Sequence, residues 1–324
     1  MRIALSPTTP GLTADRLVAM CVAAEEWGYR EAWLSEVSGP EAFTMAGAVA
    51  TATSRMELGV AVVPAVTRTP AVLAMGSVTV SHLLEGRPFH LGIGSSSELI
   101  VSSWHGRPFH PPFTLVRETL AATAAALAGR RDHKGNHITM SRFTPWSRAT
   151  GPVDLYVGAL GERMLHLAGT EAAGVCLNLM PPQAVVRQRS AITQAAAAAG
   201  RSPHRVRMMA RLHVVPNDDV DAARAVVRHG FAPYFAQPVY NRFLAWCGFP
   251  EEAAAIAAGF ADGDRERVAA AMHTAVVDAV AVVGSLSRIR GRLEEYDAAG
   301  LDVAALNVIS SDPVPTLAAL GPKD

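Results

Sequence analysis

The chain has 324 residues, of which 50% are hydrophobic and 18% charged, and its 29 basic residues equal its 29 acidic ones. A net charge of zero argues against a broad basic surface for nucleic acid or an anionic membrane. The apolar content excludes a disordered chain. We therefore expect a folded protein that binds neither nucleic acid nor a membrane. No break in composition divides the chain, so residues 1–324 are predicted to form a single domain.

Cysteine usage and the N-terminal sequence indicate a cellular compartment. Cys21, Cys176 and Cys247 lie far apart, and an odd number without ligand spacing favours neither a disulfide framework nor a metal centre. Reduced thiols are typical of the cytoplasm. The first residues lack the apolar core of a signal peptide, and no apolar run is long enough to span a membrane. We therefore expect a cytoplasmic protein.

Short apolar runs alternate with helical patterns along the chain. In chain order, the predicted elements are strand 2–6, helix 14–27, strand 31–35, helix 43–53, strand 57–63, helix 70–84, strand 88–93, helix 115–127, strand 154–158, helix 162–167, strand 174–179, helix 183–199, strand 206–215, a helical section over 220–299 broken by prolines and glycines, and strand 302–309. Eight strands with helices between most of them favour a parallel α/β fold. Their number and the chain length fit a (β/α)8 TIM barrel with insertions, and a doubly wound sheet is the alternative.

A glycine- and serine-rich segment follows the fourth predicted strand. Its sequence, Gly92-Ile93-Gly94-Ser95-Ser96-Ser97, resembles the start of a dinucleotide-binding fingerprint, but Ser97 stands at the position of the third glycine. Glycines let a ligand approach the backbone closely, and hydroxyls and free amides bind phosphate. The segment predicts an anion site, with an ordinary polar turn as the alternative.

A second glycine-rich turn connects the fifth predicted strand to the next helix, in Gly158-Ala159-Leu160-Gly161-Glu162-Arg163-Met164. The first amides of a helix and the positive end of its dipole attract anions, and Arg163 would add positive charge. In TIM barrels, loops at the carboxyl ends of the strands hold cofactor phosphates. The turn predicts a phosphate site, and a plain strand-to-helix connection is the alternative.

Candidates for acid–base chemistry are few. Glu36 follows the second predicted strand, where a barrel presents its active-site groups. Glu41, His105 and His213 are weaker candidates. Arg68, in a loop between two prolines, is expected to form a salt bridge or to cap local carbonyls. The sequence contains no serine-hydrolase elbow, zinc-binding pair or P-loop, so no metal centre is predicted.

A series of short motifs extends over nearly the whole chain. In order, they are Gly28-Tyr29-Arg30-Glu31-Ala32-Trp33, Thr67-Arg68-Thr69-Pro70-Ala71-Val72-Leu73-Ala74-Met75, Gly86-Arg87 before Gly92-Ile93-Gly94, Ser96-Ser97 before Trp104-His105-Gly106, Arg117-Glu118, Ala159-Leu160-Gly161 before Leu167-Ala168-Gly169, and Ala223-Arg224 with Tyr234 and Tyr240. Their order and spacing resemble the luciferase-like monooxygenase superfamily. Within it, they are most similar to the oxidoreductases that depend on the deazaflavin coenzyme F420.

This resemblance implies a (β/α)8 barrel with a deazaflavin at the mouth formed by the carboxyl ends of its strands. It implies a non-prolyl cis peptide behind the deazaflavin ring, which by motif position is Val60–Ala61. The phosphate-bearing tail of the cofactor would contact Gly94 with the Ser95–Ser97 loop, and the turn from Gly158 to Met164. The resemblance also implies a homodimer.

The chain departs from the family pattern at three positions. Several relatives carry a carboxylate followed by His after the second strand, whereas this chain has Glu36-Val37. Ser97 occupies the position of an acid in relatives that oxidise sugar phosphates, so such an activity is disfavoured. Glu41 stands where close relatives have Asp.

The resemblance leads to a functional hypothesis. The protein would be an F420-dependent oxidoreductase that transfers a hydride between the deazaflavin ring and a small organic substrate. Glu36 is then the candidate for a ring contact or a proton relay, and His105 is the second catalytic candidate. An FMN-dependent monooxygenase on the same fold is the alternative enzyme. A cofactor-binding barrel without turnover is the alternative of another class.

Overall fold

A ring of eight parallel strands dominates the computed structural model, which describes residues 1–8 and 11–322. The strands are β1 (Arg2–Leu5), β2 (Glu31–Leu34), β3 (Glu57–Pro64), β4 (Phe89–Gly94), β5 (Val153–Gly158), β6 (Gly174–Asn178), β7 (Arg207–Pro216) and β8 (Val303–Val308). Consecutive strands pair from β1 to β8, and β8 pairs with β1 to close the ring. The predicted TIM barrel is confirmed, and the doubly wound alternative is wrong.

Helices surround this ring. They are α1 (Ala14–Glu26), α2 (Ala42–Ala52), α3 (Pro70–Leu83), α4 (Pro112–Leu127), α5 (Glu162–Glu171), α6 (Pro182–Ala198), α7 (Val220–Ala236), α8 (Pro238–Trp246), α9 (Pro250–Asp262), α10 (Arg265–Ala271), α11 (Thr274–Val280), α12 (Leu286–Ala298) and α13 (Val314–Leu320). Local sequence explains where α3 begins. The side chain of Thr69 caps this helix by accepting from the Val72 amide, and Pro70 follows at the first helical position. Within the described part of the chain, every helix is too short or too polar to cross a bilayer.

The section over 220–299 is where the prediction was least accurate. Pro238 and Gly263 do mark helix boundaries, and Gly263 ends α9 with a left-handed φ of 70°. Pro233 instead lies inside α7, near its end. A three-residue strand, Val282–Gly284, pairs with the end of β7 and was not predicted. Three residues are too few to establish a periodicity of two.

Alternation along the strands separates two packed layers. On β7, Met208, Ala210, Leu212 and Val214 belong to the large apolar layer between the strands and the helices. Met209 belongs to a separate cluster inside the barrel, with Ala4, Trp33, Tyr156, Cys176, Val303 and Ala305. Because side chains of a strand alternate between faces, Arg207, Arg211 and His213 share the inward face with Met209. The bore is therefore filled, and its two ends carry charge.

The amino-terminal end of the bore is closed by an ion-pair network. Glu31 is fully buried and accepts hydrogen bonds from Arg207 Nη2 at 2.7 Å, Arg2 Nη1 at 3.1 Å and Trp33 Nε1 at 2.7 Å. Arg2 Nη1 also donates to Glu57 at 2.8 Å. The guanidinium of Arg2 thus bridges two carboxylates. In TIM barrels this end serves stability, so the opposite end is the functional face.

His90 lies between two carboxylates in the same network. Its Nε2 is 3.4 Å from Glu57 Oε2, its Nδ1 is 3.2 Å from Asp154 Oδ2, and its ring stacks on Trp33. Burial acts to lower the pKa of His90, but the nearby carboxylates of Asp154 and Glu57 outweigh it, so this pKa is raised. Ligand atoms of Glu31, Glu57 and His90 lie within 4.8 Å of one another, a spacing that a metal ion could use. Arg2 already supplies a cation there.

Candidate active site

Glu36 lies at the carboxyl end of β2 in a bidentate ion pair. Its carboxylate oxygens accept from Arg68 Nη1 at 2.6 Å and Nη2 at 2.7 Å, and one of them also accepts from the Ala42 amide at 3.2 Å. Arg68 also pairs with Glu41, and its guanidinium lies 5.4 Å from the ring centroid of Phe43. Both oxygens of Glu36 are therefore engaged by the protein itself, which suits positioning better than proton transfer.

Glu41 joins this group to the start of α2. Its carboxylate accepts from the amides of Phe43 at 3.2 Å and Thr44 at 2.7 Å, so it caps the helix. Burial acts to raise the pKa of Glu41, but the bonds from Thr44 and Phe43 and the charge of Arg68 outweigh it, so this pKa is lowered. One arginine and two carboxylates leave one negative charge at this side of the barrel mouth.

His105 and Glu36 are not brought together. His105 is exposed and directly follows a π-helical segment, Leu99–Trp104, where its amide donates to Ile100 O at 3.2 Å. Within the described ranges, the Glu36 carboxylate bonds to Arg68 and Ala42 and to no histidine. The two catalytic candidates therefore do not form a proton relay in this structure.

The end of β3 carries irregular backbone. The non-prolyl cis peptide joins Ala61 and Val62, so the position predicted for it, Val60–Ala61, is wrong by one residue. Val60 still pairs regularly with Leu91, and the register shifts only between Val60 and Val63. The regular ladder thus fixes the peptide of Val60, and the irregularity falls on the next two residues. The Val60 side chain is buried in the layer under the helices, away from the bore.

The side chain of Val62 lies close to three glycines, one of which, Gly92, also lacks room for a Cβ beside the Val60 carbonyl oxygen. A Cβ on Gly94 would lie 2.5 Å from Val62 Cγ2, one on Gly92 2.9 Å from Val62 Cγ1, and one on Gly158 3.2 Å from the same Cγ1. Such distances leave no room for a side chain at Gly94 or Gly92. Gly94 and Gly158 were predicted to let a cofactor approach the backbone. In the fold, the side chain of Val62 lies against both of them.

The Ser95–Ser97 loop continues from β4. Ser96 has a left-handed φ of 59°. The Ser97 hydroxyl accepts from the Ile100 amide at 3.3 Å and so begins the π-helical segment, and the Ser95 hydroxyl donates to Ser96 O at 3.3 Å. All three side chains are partly exposed. Ser97 is thus occupied by the chain's own backbone, while Ser95 and Ser96 lie at the surface of the mouth.

The turn before α5 differs from the end of β4, because no packing contact requires a glycine at Gly161. Ala159 is buried and its amide donates to Cys176 O at 3.1 Å, and Leu160 packs against the core. Gly161 is exposed, and a Cβ there would meet no atom within 4 Å. Gly161 is also the N-cap of α5, and no side chain caps this helix. Open space thus lies in front of the N-terminus of a ten-residue helix without a side-chain cap, and free amides at such a terminus can bind an anion.

The first turn of α5 also holds a cation in place. The guanidinium of Arg163 lies 4.1 Å from the ring centroid of Phe113 at the start of α4. Met164 is partly buried against the core, and its amide donates to Gly161 O at 3.1 Å. Glu162 is exposed in the same turn. The contact with Phe113 therefore holds the guanidinium of Arg163 beside the helix N-terminus.

Sequence reasoning missed Arg211 of β7. Its Nε donates to Ser6 Oγ at 3.0 Å and its Nη2 donates to Ala61 O at 2.8 Å. The side chain thus connects β7 to the ends of β1 and β3 across the bore. The signal that could have found it is the spacing of Arg211 and His213, which places both on one face of a strand.

His213 was a weak candidate from sequence, and both of its ring nitrogens are engaged. Nε2 lies 2.9 Å from Asn178 Oδ1, and Nδ1 lies 3.0 Å from Asn307 Nδ2. Because an amide nitrogen only donates, Nδ1 is the acceptor and Nε2 carries the proton. Burial lowers the pKa of His213 to about 3, and the nearby charge of Arg211 acts in the same direction. The imidazole is therefore neutral at physiological pH.

A closed barrel with polar groups and an uncapped helix gathered at the carboxyl ends of its strands is the arrangement of a TIM-barrel enzyme. The family model described as luciferase-like monooxygenase matches residues 1–303 of the chain. The chain belongs to the luciferase-like monooxygenase family, and the resemblance drawn from its motifs is confirmed.

Relatives within and around this family carry informative names. The chain is 25% identical to a putative coenzyme F420-dependent oxidoreductase of Mycobacterium tuberculosis, over 93% of each chain. It is 25% identical to the 5,10-methylenetetrahydromethanopterin reductase of Methanolobus tindarius, over 90% of this chain and 88% of that one. An F420-dependent secondary alcohol dehydrogenase, solved in complex with an F420–acetone adduct, shares its fold with a TM-score of 0.81 and 15% identity, over 99% of this chain and 97% of that one.

Proposed function

We propose that this protein is an F420-dependent oxidoreductase that transfers a hydride between the deazaflavin ring and a small organic substrate. The observation that carries the proposal is the open space at Gly161, in front of the uncapped α5. A phosphate group of a cofactor tail fits such a site, because free amides and the helix dipole both favour an anion. The name of the Mycobacterium tuberculosis relative, which aligns over 93% of the chain, favours F420 over FMN.

The chain's own residues would bind and orient this cofactor. The amides of Gly161, Glu162 and Arg163 would hold its phosphate, and the Arg163 side chain, packed on Phe113, would add positive charge. The segment Ala61–Val62 would lie against the ring, with Arg211 fixing the Ala61 carbonyl. When bound, F420 supplies the hydride chemistry, while the protein provides position and a dry environment. The Glu36–Arg68 pair would hold the ends of β2 and β3 in register at the mouth.

Cofactor binding tests this proposal directly. Oxidised F420 and, separately, FMN are titrated into the protein while cofactor fluorescence is followed, for the wild type, Gly161→Val and Gly291→Val. Gly291 is the matched control, because a Cβ there also meets nothing within 4 Å but it lies on α12. Loss of charge-assisted hydrogen bonds of about 1.5–3 kcal/mol predicts roughly 10- to 150-fold weaker F420 binding by Gly161→Val. Gly291→Val should bind as the wild type does.

Each other result has a defined meaning. Equal affinity of the wild type and Gly161→Val would overturn the phosphate assignment. Tight binding of FMN with weak binding of F420 would replace the proposal by an FMN-dependent monooxygenase. A folded wild type that binds neither cofactor would leave a barrel without turnover.

We also propose that the chain forms a homodimer through α3. Val72 and Met75 are 43% and 49% exposed and lie three residues apart on one face of this helix. Exposed apolar side chains that adjoin one another are typical of a protein contact. Met75→Glu should therefore shift a dimer to monomer in sedimentation velocity, whereas Val226→Glu, an equally exposed site on α7, should not. A monomeric wild type would overturn this proposal.

A further inference from the structure

The arginines at the two ends of the bore differ in whether they pair with carboxylates. At the amino-terminal end, Arg207 pairs with Glu31 at 2.7 Å, and Arg2 shares Glu31 and Glu57. Arg211 lies four residues further along the same face of β7, towards the mouth. Among the residues that the structure describes, no carboxylate lies within salt-bridge distance of Arg211, and its two partners, Ser6 Oγ and Ala61 O, are neutral. Within the described ranges, Arg211 is therefore a cation without an ion-pair partner.

The guanidinium of Arg211 is also fixed in orientation. Nε and Nη2 donate to Ser6 and Ala61, and these two bonds define the plane of the group. Nη1 forms no hydrogen bond with a residue in the described ranges, and it is not among the fully buried unpaired atoms. A pre-oriented guanidinium with a free edge is suited to bidentate binding of a carboxylate or phosphate. Burial lowers the pKa of Arg211, so the protein itself gains little from holding this charge uncompensated.

Aromatic side chains from the insertion after β7 lie on the same side of the mouth. Phe231 packs against His213 with ring centroids 4.5 Å apart, Tyr234 follows at 5.8 Å, and Tyr240 meets Tyr234 edge-on at 5.7 Å. Tyr234 remains 42% exposed. The neutral His213 adds no competing charge beside Arg211. An organic body would pack on these rings, which a bare inorganic ion would not use.

We propose that Arg211 binds the oxyanion of a small organic substrate, a carboxylate or phosphate, whose apolar part packs on Tyr234 and Tyr240. This inference rests on the proposed function, and it narrows the substrate to an anion. The subsite adjoins Ala61, where the ring of the cofactor is proposed to lie. Substrate and cofactor would then share one face of the barrel mouth.

Anion binding tests the assignment without any turnover. Benzoate and, separately, inorganic phosphate are titrated calorimetrically into the protein with and without F420, at constant ionic strength set by KCl. The variants are Arg211→Gln, Arg211→Lys, Ser6→Ala and Arg228→Gln. Arg228 is the matched control, because it is a partly buried arginine on α7 that donates to the carbonyl of Met272. Far-ultraviolet circular dichroism and the Tm establish that each variant is folded.

We expect the wild type to bind benzoate, and Arg211→Gln to bind it at least about tenfold more weakly, as the loss of one charge-assisted contact predicts. Arg211→Lys should lose less benzoate affinity, because lysine keeps the positive charge but lacks the bidentate geometry of the guanidinium. Arg228→Gln should bind benzoate nearly as the wild type does. Ser6→Ala should weaken benzoate binding less than Arg211→Gln does, because the guanidinium keeps its bond to Ala61 O. In Arg211→Gln, F420 affinity should fall less than benzoate affinity, because F420 is held mainly by other residues. Tighter binding of phosphate than of benzoate would identify the oxyanion as a phosphate.

Three results would overturn the inference. Absence of benzoate and phosphate binding by the wild type would remove the subsite. Equal binding by Arg211→Gln would show that the charge is not used. Parallel loss of F420 and benzoate binding in Arg211→Gln would assign the residue to the cofactor instead. Failure of the wild type to bind F420, with anion binding retained, would refute the proposed function and leave the anion site in place.

Discussion

Replacing Glu36 by Gln tests whether this residue stabilises the fold through Arg68 or contacts a ligand. The ion pair with Arg68 is bidentate, at 2.6 and 2.7 Å, and the two side chains are only 14% and 17% exposed. A hydrogen bond to a charged group contributes about 1.5–3 kcal/mol, and Arg68 keeps Glu41, so we expect a loss of about 2 kcal/mol. In a chain of this size 1 kcal/mol shifts the Tm by roughly 2 °C, so Glu36→Gln should lower it by about 4 °C.

A double-mutant cycle measures this interaction. The Tm and the free energy of unfolding are determined for the wild type, Glu36→Gln, Arg68→Met and the double variant, with the exposed Glu98→Gln as a control that should change neither. We expect a coupling energy of about 1–2 kcal/mol. A coupling energy near zero, together with an unchanged Tm and a loss of F420 affinity in Glu36→Gln, would refute our reasoning. Glu36 would then be assigned as a cofactor contact.

Three further predictions concern the bore. Because Asp154 and Glu57 raise the folded-state pKa of His90, its stabilisation is complete below the unfolded value of about 6.5 and is lost as the pH rises through the higher folded value. The Tm should therefore fall with rising pH above about 6.5 in the wild type and less in His90→Gln, and parallel curves would contradict this. Burial acts to raise the pKa of Glu57, but bonds from His90 and Arg2 lower it to about 2, so a separate loss of stability should occur as the pH falls from about 4.5 towards that value. Gly94→Ala places a Cβ 2.5 Å from Val62 and should destabilise by about 1–3 kcal/mol, with partial recovery in Gly94→Ala/Val62→Ala; a Gly94→Ala variant as stable as the wild type would count against this packing.

The barrel was predictable from the sequence because each strand carries its own local signal. Runs such as Val303–Val308 are buried on both faces and apolar except at Asn307, as is typical of parallel strands. The bore was not predictable, because its contacts join distant positions: Glu31 and Arg207 are 176 residues apart. Gly94 and Gly158 were singled out from the sequence as cofactor contacts, and the fold adds a second constraint on them. Their need for space comes from Val62, which only the backbone path of β3 brings beside them.

Glu36 shows the same limit at the candidate site. Its place after β2 was readable from the sequence, whereas its partner Arg68 comes from the next connection along the ring. Arg211 was hidden inside a run that reads as an apolar strand. Gly161 was singled out from the sequence as part of a phosphate site, and the fold leaves open space beside it.

The closure of the ring bears on how the chain is made. β1 pairs on one side with β8, where Arg2 is opposite Val303 and Leu5 is opposite Leu306. During synthesis, one edge of β1 therefore stays unpaired until residues 303–308 have left the ribosome. An exposed strand edge invites pairing with other chains, and contacts so far apart in sequence form slowly. Nascent chains and C-terminal truncations ending before Val303 should thus depend on chaperones far more than the finished barrel does.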